Sequence, residues 1–188
     1  VRRSKTTSDG KEEKEILFIS DTSGELSRTL AETDGKGELL ASYGWGDTPV
    51  FQTREGKTST YLYDGRGNVR GLLDEEGSLT DTYAYNAYGE LTAKTGETEN
   101  HFLYTGEYYD GISGLYYLRA RYMDPETRTF TSMDTWQGNL YEPVTLHKYL
   151  YANANPVKYQ DPSGMFSLPE CNIASAIGAE LYQNKNVV

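Results

Sequence analysis

Hydrophobic and polar residues alternate in short runs along most of the chain, and glycine-containing turns separate these runs. Residues 61–63 have the alternating aromatic pattern of a strand, residues 64–67 supply turn residues, and an apolar run resumes over residues 69–73. Helices are disfavoured, because each glycine inside a helix would cost about 1 kcal/mol. The pattern therefore predicts an all-β fold built from β-hairpins.

The hairpin pattern recurs along the chain. Four of its positions return 22 residues later: Tyr61, Tyr63, Gly67 and Val69 reappear as Tyr83, Tyr85, Gly89 and Leu91. Gly67, Gly77 and Gly89 fall where a turn requires the positive φ angles that glycine tolerates best. A repeated unit of this size cannot bury its own apolar face, so we expect the hairpins to stack on one another.

Composition narrows the function classes. Only 37% of the 188 residues are hydrophobic, so much of the core must come from the 17 tyrosines. The net charge of -10 argues against nucleic-acid binding, which needs clustered lysine and arginine. There is no apolar run long enough to predict a membrane span. One cysteine, Cys171, and two distant histidines, His101 and His147, predict no disulfide, metal site or cofactor.

Changes in composition divide the chain into four parts. Residues 1–15 are polar and are expected to be disordered or an incomplete repeat, and residues 16–100 contain the repeats. Residues 101–165 are denser in tyrosine, and a boundary is expected at Met165. Residues 166–188 have a different composition, with a short helix predicted over residues 171–181. The missing initiator methionine and signal sequence suggest an excised part of a longer chain.

Three segments match motifs of one protein family. Residues 114–125 match G-L-Y-Y-x-R-A-R-Y-Y-D-P, with Met123 where the second tyrosine is usual. Residues 147–157 match N-x-Y-x-Y-x-x-N-N-P-V, with His147 and Ala154 in place of two asparagines. Residues 161–165 match D-P-x-G followed by a hydrophobic residue. Over residues 16–165 the chain resembles the Rhs repeat-associated core with its YD repeats.

This resemblance implies both an architecture and an activity. Similar proteins wind YD repeats into a spiral β-sheet shell, or cocoon, around a variable C-terminal toxin, and the core segment plugs one end. The core is held to cut the chain after its D-P-x-G motif, here with Pro162 and Gly164, so the cut would separate Met165 from Phe166. The implied partners are the chain's own toxin domain and secretion-system or cell-wall components. The implied location is secreted or at the cell surface, as part of a larger bacterial protein.

Hydrolysis without a metal, cysteine or serine-histidine pair requires two carboxylates. One activates water, the other supplies a proton, and like charges about 3 Å apart share that proton. The resemblance points to Asp134 and Asp161, although Met133 stands where the family often has a charged residue. Arg119 and Arg121 alternate in a strand-like run that would place both on one face, and they are candidates to orient the pair.

Simpler interpretations exist for the same residues. Residues 161–164 also fit an ordinary type I turn, and the two arginines also fit structural ion pairs. The chain would then be a structural encapsulation or adhesion surface, or a carbohydrate-binding module that uses exposed tyrosines. The aspartate pair and the composition change after Met165 favour self-cleavage. The strand-like spacing of the tyrosines favours core packing over sugar binding.

Overall fold

The computed structural model describes residues 2–8, 13–24, 26–165 and 168–169, and these form three antiparallel sheets. The predicted all-β fold is confirmed. The strands are β1 (Ser4–Ser8), β2 (Glu13–Asp21), β3 (Arg28–Asp34), β4 (Leu39–Trp45), β5 (Pro49–Arg54), β6 (Lys57–Tyr63), β7 (Val69–Leu73), β8 (Leu79–Tyr85), β9 (Leu91–Thr95), β10 (Tyr108–Asp110), β11 (Leu115–Leu118), β12 (Arg121–Asp124), β13 (Thr129–Phe130), β14 (Tyr159–Gln160) and β15 (Leu168–Pro169). Short 3-10 turns lie at Tyr104–Gly106, Pro143–Leu146 and Ala152–Ala154.

Strands β1 to β9 form one meander in which each strand pairs with its neighbours in sequence. Strands β10 to β13 form a second meander of four strands, and β14 pairs with β15. The predicted hairpin over residues 61–73 is β6 paired with β7. The predicted helix over residues 171–181 lies outside the described residues.

The N-terminal segment is more ordered than expected. Ser4–Ser8 pair with β2, so the disorder predicted as one alternative for residues 1–15 is wrong for these five residues. Polar side chains do not prevent a strand here, because the backbone supplies the hydrogen bonds and two basic residues anchor the segment. Arg2 lies 3.1 Å from the Asp110 carboxylate, and Lys5 contacts the same carboxylate.

The repeat turns share one hydrogen-bonding arrangement. An aspartate or asparagine Oδ1 accepts the backbone N–H groups two and four residues later, and a glycine three residues later has φ between +78° and +88°. The four turns begin at Asp34, Asp64, Asp74 and Asn86. The expected positive φ at Gly67, Gly77 and Gly89 is confirmed. A side chain that replaces backbone turn bonds explains why these residues recur.

Replacing Asp74 with alanine tests this turn arrangement. We expect a loss of about 1 kcal/mol in the free energy of unfolding, because two backbone N–H groups lose their carboxylate acceptor. Urea denaturation measures the change, and Glu76→Ala in the same turn is the matched control. Equal stabilities of the two variants would contradict the assigned role.

Tyrosines from the two larger sheets form the core. The repeat tyrosines Tyr43, Tyr61 and Tyr83 are each less than 10% exposed, and Phe102 packs edge-on against the first two. Their burial means that these rings do not form an exposed sugar-binding platform. Tyr116 is fully buried and its hydroxyl donates to the Gly89 carbonyl at 2.8 Å, which joins the two sheets.

Candidate functional site

The site forms where the hairpin between β11 and β12 meets residues 161–165. Arg119 and Ala120 are the turn of this hairpin, and Leu118 pairs with Arg121 at its base. Arg119 has a φ of +60°, so the expectation that it lies in a continuous strand with Arg121 is wrong. The strand is broken because two residues are needed to reverse the chain.

Three consecutive residues of this hairpin bind three consecutive carbonyls of the facing segment. The guanidinium of Arg119 donates to the Pro162 carbonyl. The backbone N–H of Ala120 donates to Ser163 at 3.2 Å, and the guanidinium of Arg121 donates to Gly164. We call this arrangement the carbonyl clamp. The next carbonyl along the chain belongs to Met165. Cutting the chain after Met165 requires attack on this carbonyl.

Arg121 also joins the two predicted aspartates. Its Nη2 lies 2.9 Å from Oδ2 of Asp134 and 3.3 Å from Oδ2 of Asp161. Its Cζ lies 3.6 Å from the centre of the Phe130 ring, so an aromatic face covers the cation. The structure therefore brings Asp134, Asp161 and Arg121 together, whereas Arg119 contacts the same segment from its other end.

The two aspartates differ in their access to solvent. The Asp161 side chain is 2% exposed and the Asp134 side chain is 16% exposed. Two hydrogen bonds fix Asp134. Its backbone N–H donates to the Lys148 carbonyl at 2.9 Å, and its side-chain Oδ1 accepts the Trp136 N–H at 2.8 Å. The Lys148 carbonyl also accepts from Arg121 at 3.2 Å, which ties both residues to one point.

The turn that carries Asp161 resembles the repeat turns, except that the Ser163 hydroxyl, and not its backbone N–H, donates to Oδ1 of the aspartate. Oδ1 of Asp161 accepts the Met165 N–H at 3.1 Å, and the Gly164 N–H donates to the Asp161 carbonyl at 3.3 Å. Gly164 has a φ of +68°. The difference lies in the surroundings: Oδ2 of Asp161 faces a buried guanidinium. A turn that resembles the repeat turns therefore lies against the buried guanidinium of Arg121.

Gly164 is required for a second reason besides its φ angle. A Cβ at this position would lie 2.3 Å from the Leu118 carbonyl oxygen and 3.0 Å from the Arg121 nitrogen. Both are backbone atoms of the hairpin, so neither can move away easily. The absence of a side chain lets the two segments approach closely enough for the carbonyl clamp to form.

Glu107 is a site residue that the sequence analysis missed. Its two carboxylate oxygens accept from Arg119 Nη1 at 2.8 and 2.9 Å, and the side chain is buried. Burial raises the pKa of Glu107, Arg119 opposes this rise, and the charge of Asp161 adds to it. The only sequence signal was a charged residue inside a run of buried tyrosines.

Glu107, Arg119, Asp161 and Pro162 line a cleft of about 210 Å³ between the two larger sheets. Among the described residues, no cluster of histidine, cysteine, aspartate and glutamate has the arrangement of a metal site. A search of the same residues finds no helix whose length and apolarity would let it cross a membrane. Phe166 and Cys171 lie outside the described residues.

Comparison with known proteins gives related sequences and a related fold. No family model matches the chain. The tRNA3(Ser)-specific nuclease WapA of Bacillus spizizenii is 35% identical over 146 residues, and the tRNA nuclease WapA of Bacillus subtilis is 34% identical over 146 residues. Each match covers 75% of this chain and 6% of the relative, so the chain spans a small part of these relatives.

Among solved structures, the crystal structure of TcdB2-TccC3-TEV matches 85% of this chain and 9% of the solved chain, with a TM-score of 0.61 and 17% identity. At this identity the match shows the fold. Together, the sequence and fold similarities support a relationship between this chain and toxins of the Rhs and YD-repeat type.

Proposed function

We propose that this chain closes the β-sheet shell of a polymorphic toxin and cuts its own backbone between Met165 and Phe166. One observation carries the proposal: Arg121 binds both Asp134 and Asp161, and it also binds the carbonyl of Gly164. The guanidinium that binds both carboxylates is thereby fixed at Gly164, one residue before Met165, after which the chain is cut.

The proposed reaction is a hydrolysis in cis. The oxygen of a water molecule attacks the Met165 carbonyl carbon while one aspartate takes the water proton. The bond between this carbon and the Phe166 nitrogen then breaks as the other aspartate gives a proton to that nitrogen. The products are a Met165 carboxylate and a free Phe166 amine.

Exposure and contacts support one division of the two roles. Asp134 is the more exposed aspartate, so it is the one that a solvent water reaches, and it acts as the base. Oδ1 of Asp161 accepts the N–H of Met165, in the peptide that precedes the one to be cut, and in this proposal Asp161 acts as the acid. Arg121 lowers the repulsion between the two carboxylates and keeps them in register with the segment.

The rest of the chain supplies the enclosure. In this proposal residues 16–100 are a section of the shell wall, residues 101–165 are the core that closes it, and residues 166–188 begin the enclosed toxin. The meander of nine strands supports the wall assignment, because it extends by adding hairpins at its edges. In this proposal the toxin is the main partner, and the protein is secreted or displayed at the cell surface as part of a larger protein.

Cleavage is tested in the full-length protein by intact mass under denaturing conditions. We expect Asp134→Asn and Asp161→Asn each to slow cleavage after Met165 by at least about 100-fold, as expected when acid-base catalysis is lost. The matched control is Asp124→Asn, whose Oδ1 accepts the Glu126 N–H in an ordinary turn. Cleavage at the wild-type rate in either variant would rule out the two-aspartate mechanism.

One observation favours a second candidate, a shell segment without enzymatic activity. The turn at Asp161 shares two features with the repeat turns: Oδ1 accepts the N–H four residues later, and a glycine with positive φ follows three residues after the aspartate. In that case the wild-type protein stays intact, and Asp161→Asn changes stability alone. The mass measurement therefore separates the two candidates.

A further inference from the structure

Arg119 occupies a backbone position that is unfavourable for its residue type. Its φ of +60° costs a residue with a Cβ on the order of 1 kcal/mol, and a glycine would remove that cost. Its side chain makes the contacts that explain its presence. Nη1 donates to both oxygens of Glu107 and to the Pro162 carbonyl, and Nε donates to the Ser27 carbonyl at 3.3 Å.

Glu107 also occupies an unfavourable position, because its carboxylate is buried. It is 8% exposed, and its pKa is raised by burial although Arg119 is bound to it. Glu107 contacts the guanidinium that also binds the Pro162 carbonyl, so the pair is a candidate for a role in positioning that segment.

We propose that Glu107 and Arg119 form a positioning pair that holds the Pro162 carbonyl and so fixes the Asp161 turn for cleavage. The inference rests on the proposed function for its consequence, but the contacts are independent of it. Both carboxylate oxygens of Glu107 accept from one guanidinium nitrogen, Nη1, and the same nitrogen donates to the first carbonyl of the clamp. Arg121 fixes the third carbonyl, so the turn is held at both ends.

The pair also contributes to the electrostatic surroundings of Asp161. The groups that face Asp161 are the guanidiniums of Arg119 and Arg121, the carboxylate of Glu107 and the hydroxyl of Tyr151, and Asp134 approaches it across Arg121. Glu107 and Asp161 line the same cleft and carry like charges. Removing the negative charge of Glu107 makes this region more positive, which favours the ionised form of the aspartate pair.

Glu107→Gln in the full-length protein tests the pair through cleavage. The amide keeps the size of the side chain but loses the two-oxygen contact with Arg119. We expect cleavage to slow by about 10- to 100-fold, the size of effect that a small misplacement of a reacting group produces. We also expect the pH-rate profile to move to lower pH. Glu126→Gln, at an exposed turn beyond β12, is the matched control and should leave both unchanged.

Arg119→Lys separates positioning from simple charge. Lysine keeps the positive charge beside Glu107, but its single nitrogen cannot replace both Nη1, which contacts Glu107 and Pro162, and Nε, which donates to the Ser27 carbonyl. We expect cleavage to slow while the pH-rate profile stays close to that of the wild type. Wild-type rates in both Glu107→Gln and Arg119→Lys would overturn the proposal.

A second measurement does not depend on cleavage. Hydrogen exchange is followed at the Gly164 and Met165 amides in the Asp134→Asn background, which keeps the chain continuous. Adding Glu107→Gln should speed their exchange by about 10-fold while residues 115–124 keep their protection, because the turn loosens and the sheet does not. Unchanged exchange at both amides would overturn the positioning pair. An uncut wild-type protein would refute the cleavage proposal, and the exchange result would still decide the role of the pair.

Discussion

Replacing Arg121 with methionine is expected to abolish cleavage after Met165 and to lower the free energy of unfolding by about 3–5 kcal/mol. Methionine fills much of the space over the Phe130 ring but removes every hydrogen bond of the guanidinium. The aspartate pair, in which the Asp161 side chain is 2% exposed, then keeps its negative charge without the cation. Removing one partner of a buried ion pair costs more than the pair contributed, since the remaining charge has lost its water as well.

Urea denaturation and intact mass of the full-length protein measure the two effects. Arg70→Met is the matched control, because Arg70 is exposed on β7 and should change stability by less than about 0.5 kcal/mol. Arg121→Lys keeps the charge and should fold better than Arg121→Met, but one ammonium cannot replace the fork that binds two carboxylates and a carbonyl. Cleavage at the wild-type rate in Arg121→Met would show that the carboxylates work without the guanidinium.

Replacing Gly164 with alanine is expected to cost about 2–4 kcal/mol and to slow cleavage by at least about 100-fold. The comparison with Gly67→Ala isolates the cause. Both glycines occupy the third position after an aspartate, with φ angles of +68° and +78°. A Cβ at Gly67 meets nothing within 4 Å, whereas one at Gly164 would overlap the Leu118 carbonyl oxygen at 2.3 Å.

Gly67→Ala should therefore cost about 1 kcal/mol, which is the price of the φ angle alone, and should leave cleavage unchanged. The stability loss of Gly164→Ala beyond that of Gly67→Ala measures the effect of the close approach between the turn and the hairpin. Chemical denaturation gives the stabilities, and the time course of the fragment masses gives the rates. Equal effects of the two substitutions would mean that the approach of the two segments is not needed.

The repeats were predictable because their determinants are local. Alternating aromatic residues, a turn aspartate and a glycine three residues later define β6, its turn and β7 without reference to distant residues. The N-terminal strand was not predictable in this way, because Lys5 is held by Asp110, more than 100 residues away. The polar local sequence indicated disorder, but an ion pair with a distant residue holds this segment in place.

The site was partly predictable for the same reason. The motifs placed Asp161 in a turn before Met165 and pointed to Asp134, and the alternating run offered Arg119 and Arg121 as candidates. The structure puts Arg121 in contact with both aspartates; their catalytic role is a proposal. Arg119 gave no turn signal, since arginine rarely adopts a positive φ. Glu107 could not be found, because its importance comes from contacts with a hairpin 12 residues later and, through it, with Pro162.

The central claim is that water, activated by the two aspartates, cuts the bond after Met165. The most direct measurement is the intact mass of the denatured full-length protein after it has folded in water enriched in 18O. The account predicts an N-terminal fragment that ends at Met165 and carries one 18O atom in its new carboxylate, and no such fragment in Asp161→Asn. A single uncut mass for the wild-type protein, or a fragment that ends elsewhere, would contradict it.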